Sequence, residues 1–344
     1  MTLKHAPTLD DVAKHANVST ATVSRCINTP DQVRQLTRKR VEAAIAELGY
    51  TPHFGGMALA SNRTNTIGAV IPTMENAIFA RGLQVLQEEL SAAGVTLLVA
   101  TSQYDSEQEA HQIQALVSRG VDGIVLIGDA RSESVYDFLK GRNIPFVLMW
   151  THKNDPQHCY VGFDNKLAAE SIAKHVVSLG HKRFGMISGI TADNDRARAR
   201  VQGVKDVLKQ NGIILQAPYL MEVPYSLEDG KEATLELLTL PNRPTAVFFG
   251  NDVQAAGALQ ATRHLKLKVP DDVSIIGFDD IDLASAVEPP LTTVHVPHRR
   301  MGREAARIIM RMAREKVPGQ SVILKTDIVE RRSLGKFLPQ DGKQ

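Results

Sequence analysis

The chain has 344 residues, 40 Lys/Arg against 38 Asp/Glu, a net charge of +2 with histidines neutral, and 43% hydrophobic residues. This is ordinary globular composition, long enough for two or three domains at ~150 residues each, and it excludes a disordered polyelectrolyte. No apolar run reaches the ~18 residues of a membrane-spanning helix, and residues 1–10 lack the apolar stretch of a signal peptide. Two distant cysteines, Cys26 and Cys159, point to free thiols in a reducing, cytoplasmic setting, and they make no metal site by themselves. The basic excess sits at the front: residues 1–63 carry eight Lys/Arg and five Asp/Glu, whereas the rest carries 32 and 33. That is a modest footprint for a polyanionic partner.

The first 50 residues read as three short helices with no strand between them. Thr8 is an N-cap, and Asp10 and Asp11 follow in the first turn, facing the positive end of the helix dipole. Leu9, Val12, Ala13 and Ala16 repeat at helical spacing, and Asn17 can end the helix in a left-handed turn. Ser19 caps a second helix through about Ile27, with Val23 and Ile27 inward and Thr20, Ala21, Ser24 and Arg25 on other faces. A third helix spans 37–48, with Val41, Ala44, Ile45 and Leu48 as its apolar stripe and Gly49 as its stop. A short stretch, 53–65, follows as a linker.

From Thr66 the pattern changes to short apolar strands alternating with amphipathic helices. Strands are predicted at 67–71, 95–100, 123–127, 146–149, 160–163, 184–188, 219–223, 246–249 and 273–278. Helices are predicted at 79–92, 106–119, 166–179, 196–210, 227–238 and 252–264. Such alternation gives parallel sheets covered on both faces, and nine strands divide better into two doubly wound lobes than into one sheet. The polar, proline-containing stretch 150–158 places the break between lobes there. Ligands in such folds bind at the carboxyl ends of the strands, which here means between the lobes.

Residues 10–28 fit either a DNA-reading helix–turn–helix or an ordinary helical hairpin. In the first case the second helix offers short polar residues to base edges, and Arg25 can donate to guanine or grip a phosphate. The run Thr8-Leu9-Asp10-Asp11-Val12-Ala13, then Ala16-Asn17-Val18-Ser19-Thr20-Ala21-Thr22-Val23-Ser24-Arg25, then Asn28, resembles the N-terminal signature of the lactose-repressor (LacI/GalR) family of bacterial transcription regulators. The likeness continues through Thr37-Arg38, Gly49-Tyr50-Thr51-Pro52, Asp164-Asn165, Leu179-Gly180-His181, Asn251-Asp252, Gly277-Phe278-Asp279-Asp280 and Pro290-Leu291-Thr292-Thr293-Val294. A gluconate-repressor-like subgroup also resembles it.

The resemblance implies an all-α helix–turn–helix head (1–52), a hinge helix and linker (53–65), and a periplasmic-binding-protein-like α/β core (66–335). The first lobe then covers about 66–160 plus 292–320 and the second about 161–291 plus 321–335, with 336–344 as a tail. Thr20, Ala21 and Arg25 fall where the family reads operator bases. Thr8, Ser19, Thr22, Ser24 and Asn28 contact phosphates or cap helices. Leu59 falls on the leucine that a hinge helix wedges into the minor groove. Gly55-Gly56 depart from the commonest hinge pattern, since each Gly costs ~1 kcal/mol in a helix interior.

In the core, Arg200 falls on the arginine that grips the effector. Asn251 and Asp279 are its polar partners, and Phe79, Phe163 and Tyr225 line the pocket. Trp150 stands where relatives commonly have an acid. Its presence beside Arg200 tilts the pocket towards an anionic ligand such as a sugar acid, or else the indole stacks on a neutral sugar ring. Asp164, Asn251 and Ser226 also fit helix N-caps. The stripe Phe79, Leu83, Leu86 and Leu90 fits core and dimer face, Cys26 fits a small buried hydrophobe, and His298, Arg299, Arg300 and Arg303 fit a solvated helix start. The implied partners are a palindromic operator, a sugar or sugar-acid effector and a second copy of the chain. No cofactor or metal is implied. Residues 336–344 carry no leucine heptads, so a dimer is expected rather than a tetramer. A periplasmic-type sugar-binding protein fits the core alone, but not the helical head. An enzyme finds no Gly-x-Gly-x-x-Gly after a strand, no Walker loop, no nucleophile elbow and no paired metal-ligand spacing.

Overall fold

A computed structural model describes residues 6–51, 63–75 and 77–337. Two compact units divide the chain, one of residues 1–66 with 120–122 and the other of residues 67–119 with 123–344.

In the first unit, α1 (Leu9–His15) begins at a reciprocal cap. The Thr8 hydroxyl accepts from the Asp11 amide while the Asp11 carboxylate accepts from the Thr8 amide at 2.8 Å. Asn17 takes the left-handed conformation (φ 49°) and turns the chain into α2 (Thr20–Asn28), which Ser19 caps through the Thr22 amide. A single 3₁₀ turn (Pro30–Gln32) leads to α3 (Gln35–Leu48), which stops at left-handed Gly49. Val12, Ala13, Ala16, Val23, Cys26, Val41, Ala44 and Tyr50 form a small core. Cys26 is therefore a buried filler, and burial pushes its thiol up. Leu59 and Gly55-Gly56 lie outside the described residues.

The second unit carries three sheets. Its elements are β1 (Thr66–Ile71), α4 (Ala77–Ala92), β2 (Thr96–Thr101), α5 (Ser106–Ser118), β3 (Gly123–Ile127), α6 (Glu133–Gly141), β4 (Phe146–Met149) and β5 (Tyr160–Gly162). Then come α7 (Asn165–Ser178), β6 (Phe184–Ser188), α8 (Asp195–Gln210), β7 (Leu220–Glu222), α9 (Leu227–Thr239), β8 (Ala246–Phe249), α10 (Asp252–His264) and β9 (Ser274–Ile276). The chain ends with α11 (Asp282–Ala286), β10 (Thr293–His295), α12 (His298–Glu315), β11 (Val322–Ile323) and β12 (Asp327–Val329). One sheet has the order β11-β5-β4-β3-β1-β2, another β7-β6-β8-β9, and β10 pairs β12 antiparallel. β4 and β6 pair in parallel with both their neighbours. Both larger sheets are wound outward from an early strand, and their apolar strands are buried on both faces, as helix-covered parallel sheets require.

The lobe boundaries need correction. The break expected at 150–158 is a loop within the first lobe, because β5 returns to the same sheet, with Leu148 opposite Tyr160 and Met149 opposite Val161. β11, expected in the second lobe, pairs with β5 in the first lobe's sheet (Val322 opposite Val161). The stretch 150–158 reads as a linker because its middle, residues 153–157, is a largely exposed turn held by Asp155, which accepts from the Gln157 amide at 2.8 Å, whereas Trp150 and Thr151 are buried. The chain thus passes between lobes after β5, after β9 and after β11.

The 18-residue α12 is more than a solvated helix start. His298 is buried, and only Arg299, Arg300 and Arg303 of that cluster are exposed. The helix lies so close to α4 that a Cβ on Gly302 would stand 2.2 Å from the Gly82 carbonyl oxygen. Phe79, Leu86 and Leu90 are buried and Leu83 packs beside them, so the α4 stripe is core.

Candidate functional site

Two surfaces carry the residues singled out above. On the helical unit, Thr20, Ala21 and Arg25 are exposed and share one side of α2 at helical spacing. Ser24 and Asn28 continue that side, tied together by a bond from Asn28 Nδ2 to Ser24 Oγ (3.2 Å). Thr8, Ser19 and Thr22 are engaged locally. Thr8 and Ser19 cap α1 and α2, and the Ser19 and Thr22 hydroxyls are 2.9 Å apart. The geometry is a rigid two-helix turn that leaves one helix face free.

The other surface is a cleft at the carboxyl ends of strands in both lobes. Phe79, Trp150, Arg200, Tyr225, Asn251 and Asp279 line one cavity, joined by Ile78, Tyr104, Asn165, Asn194 and Arg196. Phe163 is fully buried behind this wall, stacked on Phe278 (6.2 Å, 27°), and does not line the cavity.

Arg200 projects from α8, donates from Nη2 to the Tyr225 hydroxyl (2.9 Å) and lies 4.6 Å over the Phe278 ring. Its Nε has no partner among the described residues. Although burial opposes its charge, Tyr225 and Asp279 together hold the guanidinium firmly protonated. Asp279 follows β9 in a left-handed backbone conformation (φ 105°), and neither carboxylate oxygen has a hydrogen-bond partner among the described residues. Burial pushes this carboxyl up to about 7, against the pull of Arg200. Asn251 caps α10 through Oδ1 (2.9 Å to the Gln254 amide), which leaves its Nδ2 unpartnered. Ser226 and Asp164 are likewise caps, of α9 and α7.

Trp150 ends β4 with φ 60°, a conformation that costs a bulky residue about 1–3 kcal/mol and persists only where the surroundings impose it. Asn165 donates to its carbonyl (2.8 Å), its amide donates to Met301 Sδ (3.3 Å), and its ring meets Phe79 edge-on at 5.3 Å. The indole Nε1 and Asn165 Oδ1 have no hydrogen-bond partner among the described residues. His298 donates from Nε2 to the Asp279 carbonyl (3.0 Å), and burial lowers its pKa to about 4, so the ring is neutral.

Buried polar atoms are almost always paired, because an unpaired one costs about 1–3 kcal/mol. Here unpaired donors (Trp150 Nε1, Arg200 Nε, Asn251 Nδ2) and acceptors (both Asp279 oxygens, Asn165 Oδ1) belong to residues around a single cavity of ≈ 10 Å³. The set can bind a ligand bearing several hydroxyls.

Sequence reading missed Asn165, Asn194, Arg196, Tyr104 and Ile78. Arg196 was detectable, one helical turn before Arg200 on the same face of α8. Asn194 caps that helix, and Asn165 sat inside a quoted motif. Tyr104 enters through a loop with φ 63°, which no periodicity signals.

Residues 8–53 match the family described as bacterial regulatory proteins, lacI family, and residues 173–334 match a periplasmic binding protein-like domain. The chain is 34% identical over 330 residues to the HTH-type transcriptional repressor CytR of Escherichia coli (strain K12), covering 95% of this chain and 96% of that protein. In structure it is similar to a LacI family transcriptional regulator from Silicibacter pomeroyi (TM-score 0.87, 27% identity, 96% of this chain and 99% of the other). It is also similar to the lac repressor dimer bound to operator and the anti-inducer ONPF (TM-score 0.84, 26% identity, 96% and 99%).

Proposed function

Because the chain belongs to the lacI family of bacterial regulatory proteins, and is a DNA-binding transcription regulator rather than an enzyme, we propose that it is a repressor released from or locked onto its operator by a hydroxyl-rich small molecule in the cleft. It acts as a cytoplasmic homodimer, each head reading half of a palindromic operator with Thr20, Ala21 and Arg25 on bases. Thr8, Ser19, Thr22, Ser24 and Asn28 support the phosphate contacts, and Leu59 wedges the minor groove.

The observation that carries the ligand class is the pair of unpartnered Asp279 oxygens beside Arg200. A carboxylate with two free oxygens suits a ligand that donates twice, as a vicinal diol does. Arg200, the Asn251 side-chain amide and the Trp150 indole N–H donate to the ligand's acceptors, and Phe79, Trp150 and Tyr225 offer apolar faces to its ring. Phe163 acts from behind, by fixing Phe278 under Arg200. The opposite charges of Arg200 and Asp279 favour a neutral sugar. The second reading, a sugar acid, rests on Arg200 with Trp150 standing in place of an acid, and it requires Asp279 to take up a proton. Since the cavity is as small as one water, a ring-sized ligand enters by parting the lobes or displacing the Trp150 ring, and so acts on the lobe arrangement.

The test is a thermal-shift screen of neutral sugars, sugar acids, sugar phosphates and nucleosides, followed by calorimetry of any hit in two buffers of different ionisation enthalpy. A ligand at 100 times its Kd stabilises by about 2.7 kcal/mol. A neutral sugar that binds with proton release at pH 7 supports the reading. A sugar acid binding with proton uptake transfers the site to anions. Stabilisation by nothing hydroxyl-bearing would overturn both.

A further inference from the structure

A second cavity, of ≈ 530 Å³, lies in the first lobe at the opposite ends of the strands from the cleft. Ile144, Pro145 and Phe146 at the start of β4, Cys159 before β5, and Met312 and Val317 at the end of α12 give it apolar walls. Its size is that of a drug-sized ligand site, ~300–1,000 Å³. A Cβ on Gly319 would stand 2.5 Å from Cys159 Sγ and 2.6 Å from Met312 Sδ, so the segment after α12 is pressed onto the cavity's sulfur-lined floor.

Asn143 and Gln157 add neutral polar groups to the lining, and its lysines and arginines number two, with no Asp or Glu beside them among the described residues. Lys140 and Lys316 both line the cavity, both are exposed, and neither has an ion-pair partner among the described residues. His158 also lines it, with its side chain only 8% exposed. Its Nδ1 donates to Asp155 at 2.7 Å and its ring lies against Tyr136, yet its Nε2 is a buried atom without a partner. Asp155 is turned to His158 and the Gln157 amide, and it is not among the lining residues. An open, largely apolar pocket with two lysines that lack ion-pair partners among the described residues is complementary to an apolar body carrying one negative charge.

We propose that this cavity is a second small-molecule site, distinct from the cleft, which takes a small aromatic or alicyclic carboxylate. The ring enters between Phe146, Met312 and the prolines, and the carboxylate sits between Lys140 and Lys316. The site is connected to the cleft by two elements. β4 runs from Phe146 in the cavity wall to Met149, directly before Trp150 at the cleft, and α12, which begins at His298, bonded to the Asp279 carbonyl, carries Met312 in its last turn. An occupant that shifts either element shifts the surroundings of Trp150, the chain's single tryptophan.

The probe is 3-phenylpropanoate, titrated into the full-length protein by calorimetry and by Trp150 emission excited at the red edge of the indole band. The expected result is saturable binding with Kd in the millimolar range or below, accompanied by a change in Trp150 emission. The double variant Lys140→Glu/Lys316→Glu, altered only at exposed side chains, should bind about tenfold more weakly or worse. The uncharged alcohol of the same shape, 3-phenylpropan-1-ol, should weaken similarly, while Arg200→Ala should leave the affinity unchanged. No binding at ~10 mM, equal binding by the double variant or by the alcohol, or loss of binding in Arg200→Ala would each overturn the proposal.

Discussion

At the scale of single residues, the chain separates groups that hold the fold from groups left unsatisfied by it. Thr8 and Ser19 spend their hydroxyls on caps, whereas Arg25 stands exposed on the free side of α2. On the proposed reading, Arg25→Ala weakens binding to the operator by about 1–3 kcal/mol and relaxes base choice at one position of each half-site. Anisotropy titrations on a selected operator and on random DNA check this, and equal losses on both would reduce Arg25 to a phosphate contact.

Asp279 gives a pH signature of unusual sign. Its pKa rises from an ordinary 3.8 to about 7 in the folded chain because burial disfavours the charge. The native state therefore binds this proton more tightly than the unfolded state, and the group lowers stability progressively as pH rises from about 4 to about 7. Asp279→Asn removes that titration. In urea unfolding it should be more stable than the parent by on the order of 4 kcal/mol at pH 8, with the difference vanishing towards pH 4. A variant less stable at pH 8 than at pH 5, relative to the parent, would contradict this assignment.

Legibility at this scale followed chemistry rather than position. Caps were readable because Ser, Thr, Asp and Asn before an apolar repeat have one local task. That Phe163 lies behind the wall and Asn165 lines the cavity was not readable, since adjacent residues on a strand end or helix start differ only in direction.

At the scale of elements, alternating apolar runs were enough to place the strands β1 to β9 and, α6 apart, the helices between them. The elements that escaped were the short ones, β10, β11 and β12, whose two or three residues have no period to read, and α6 and α11. α12 escaped for another reason. Its six arginines from Arg299 to Arg314 dominate its composition, while its buried side consists of His298 and the small or apolar Met301, Gly302, Ala305, Ala306, Ile308, Ile309 and Ala313.

Gly203 on α8 ties the packing of two helices to the cleft. A Cβ there would stand 2.4 Å from the Lys166 carbonyl oxygen, so α7 and α8 cross at near backbone contact. Gly203→Val forces them apart at an overpacking cost of about 1–3 kcal/mol, and it moves Arg200, one turn away. Thermal melting should fall by several degrees with ligand affinity reduced in parallel, and an unchanged melting profile would mean that the crossing adjusts freely.

At the scale of the whole molecule, the lobe assignment was the part least available to sequence. A chain that passes between two sheets three times shows the same strand–helix alternation on both sides of each crossing. The polar stretch 150–158 looked like a boundary although it is an ordinary loop. Those crossings matter to the account. The cleft draws Phe79, Trp150 and Asn165 from segments around the first sheet and Arg200, Tyr225, Asn251 and Asp279 from around the second, so on the proposed reading a ligand would be held by both lobes at once. A ligand changes DNA affinity only through unequal binding to two lobe arrangements, and that coupling is worth typically 1–3 kcal/mol, or about 5–150-fold.

The most direct test of this account is operator affinity measured with and without the cleft ligand, in the parent and in Arg200→Ala. The account predicts that the ligand changes parent affinity at least about fivefold, and that Arg200→Ala binds operator as the parent does but no longer responds. A full ligand response in Arg200→Ala, or an operator affinity indifferent to any ligand that binds the cleft, would contradict it.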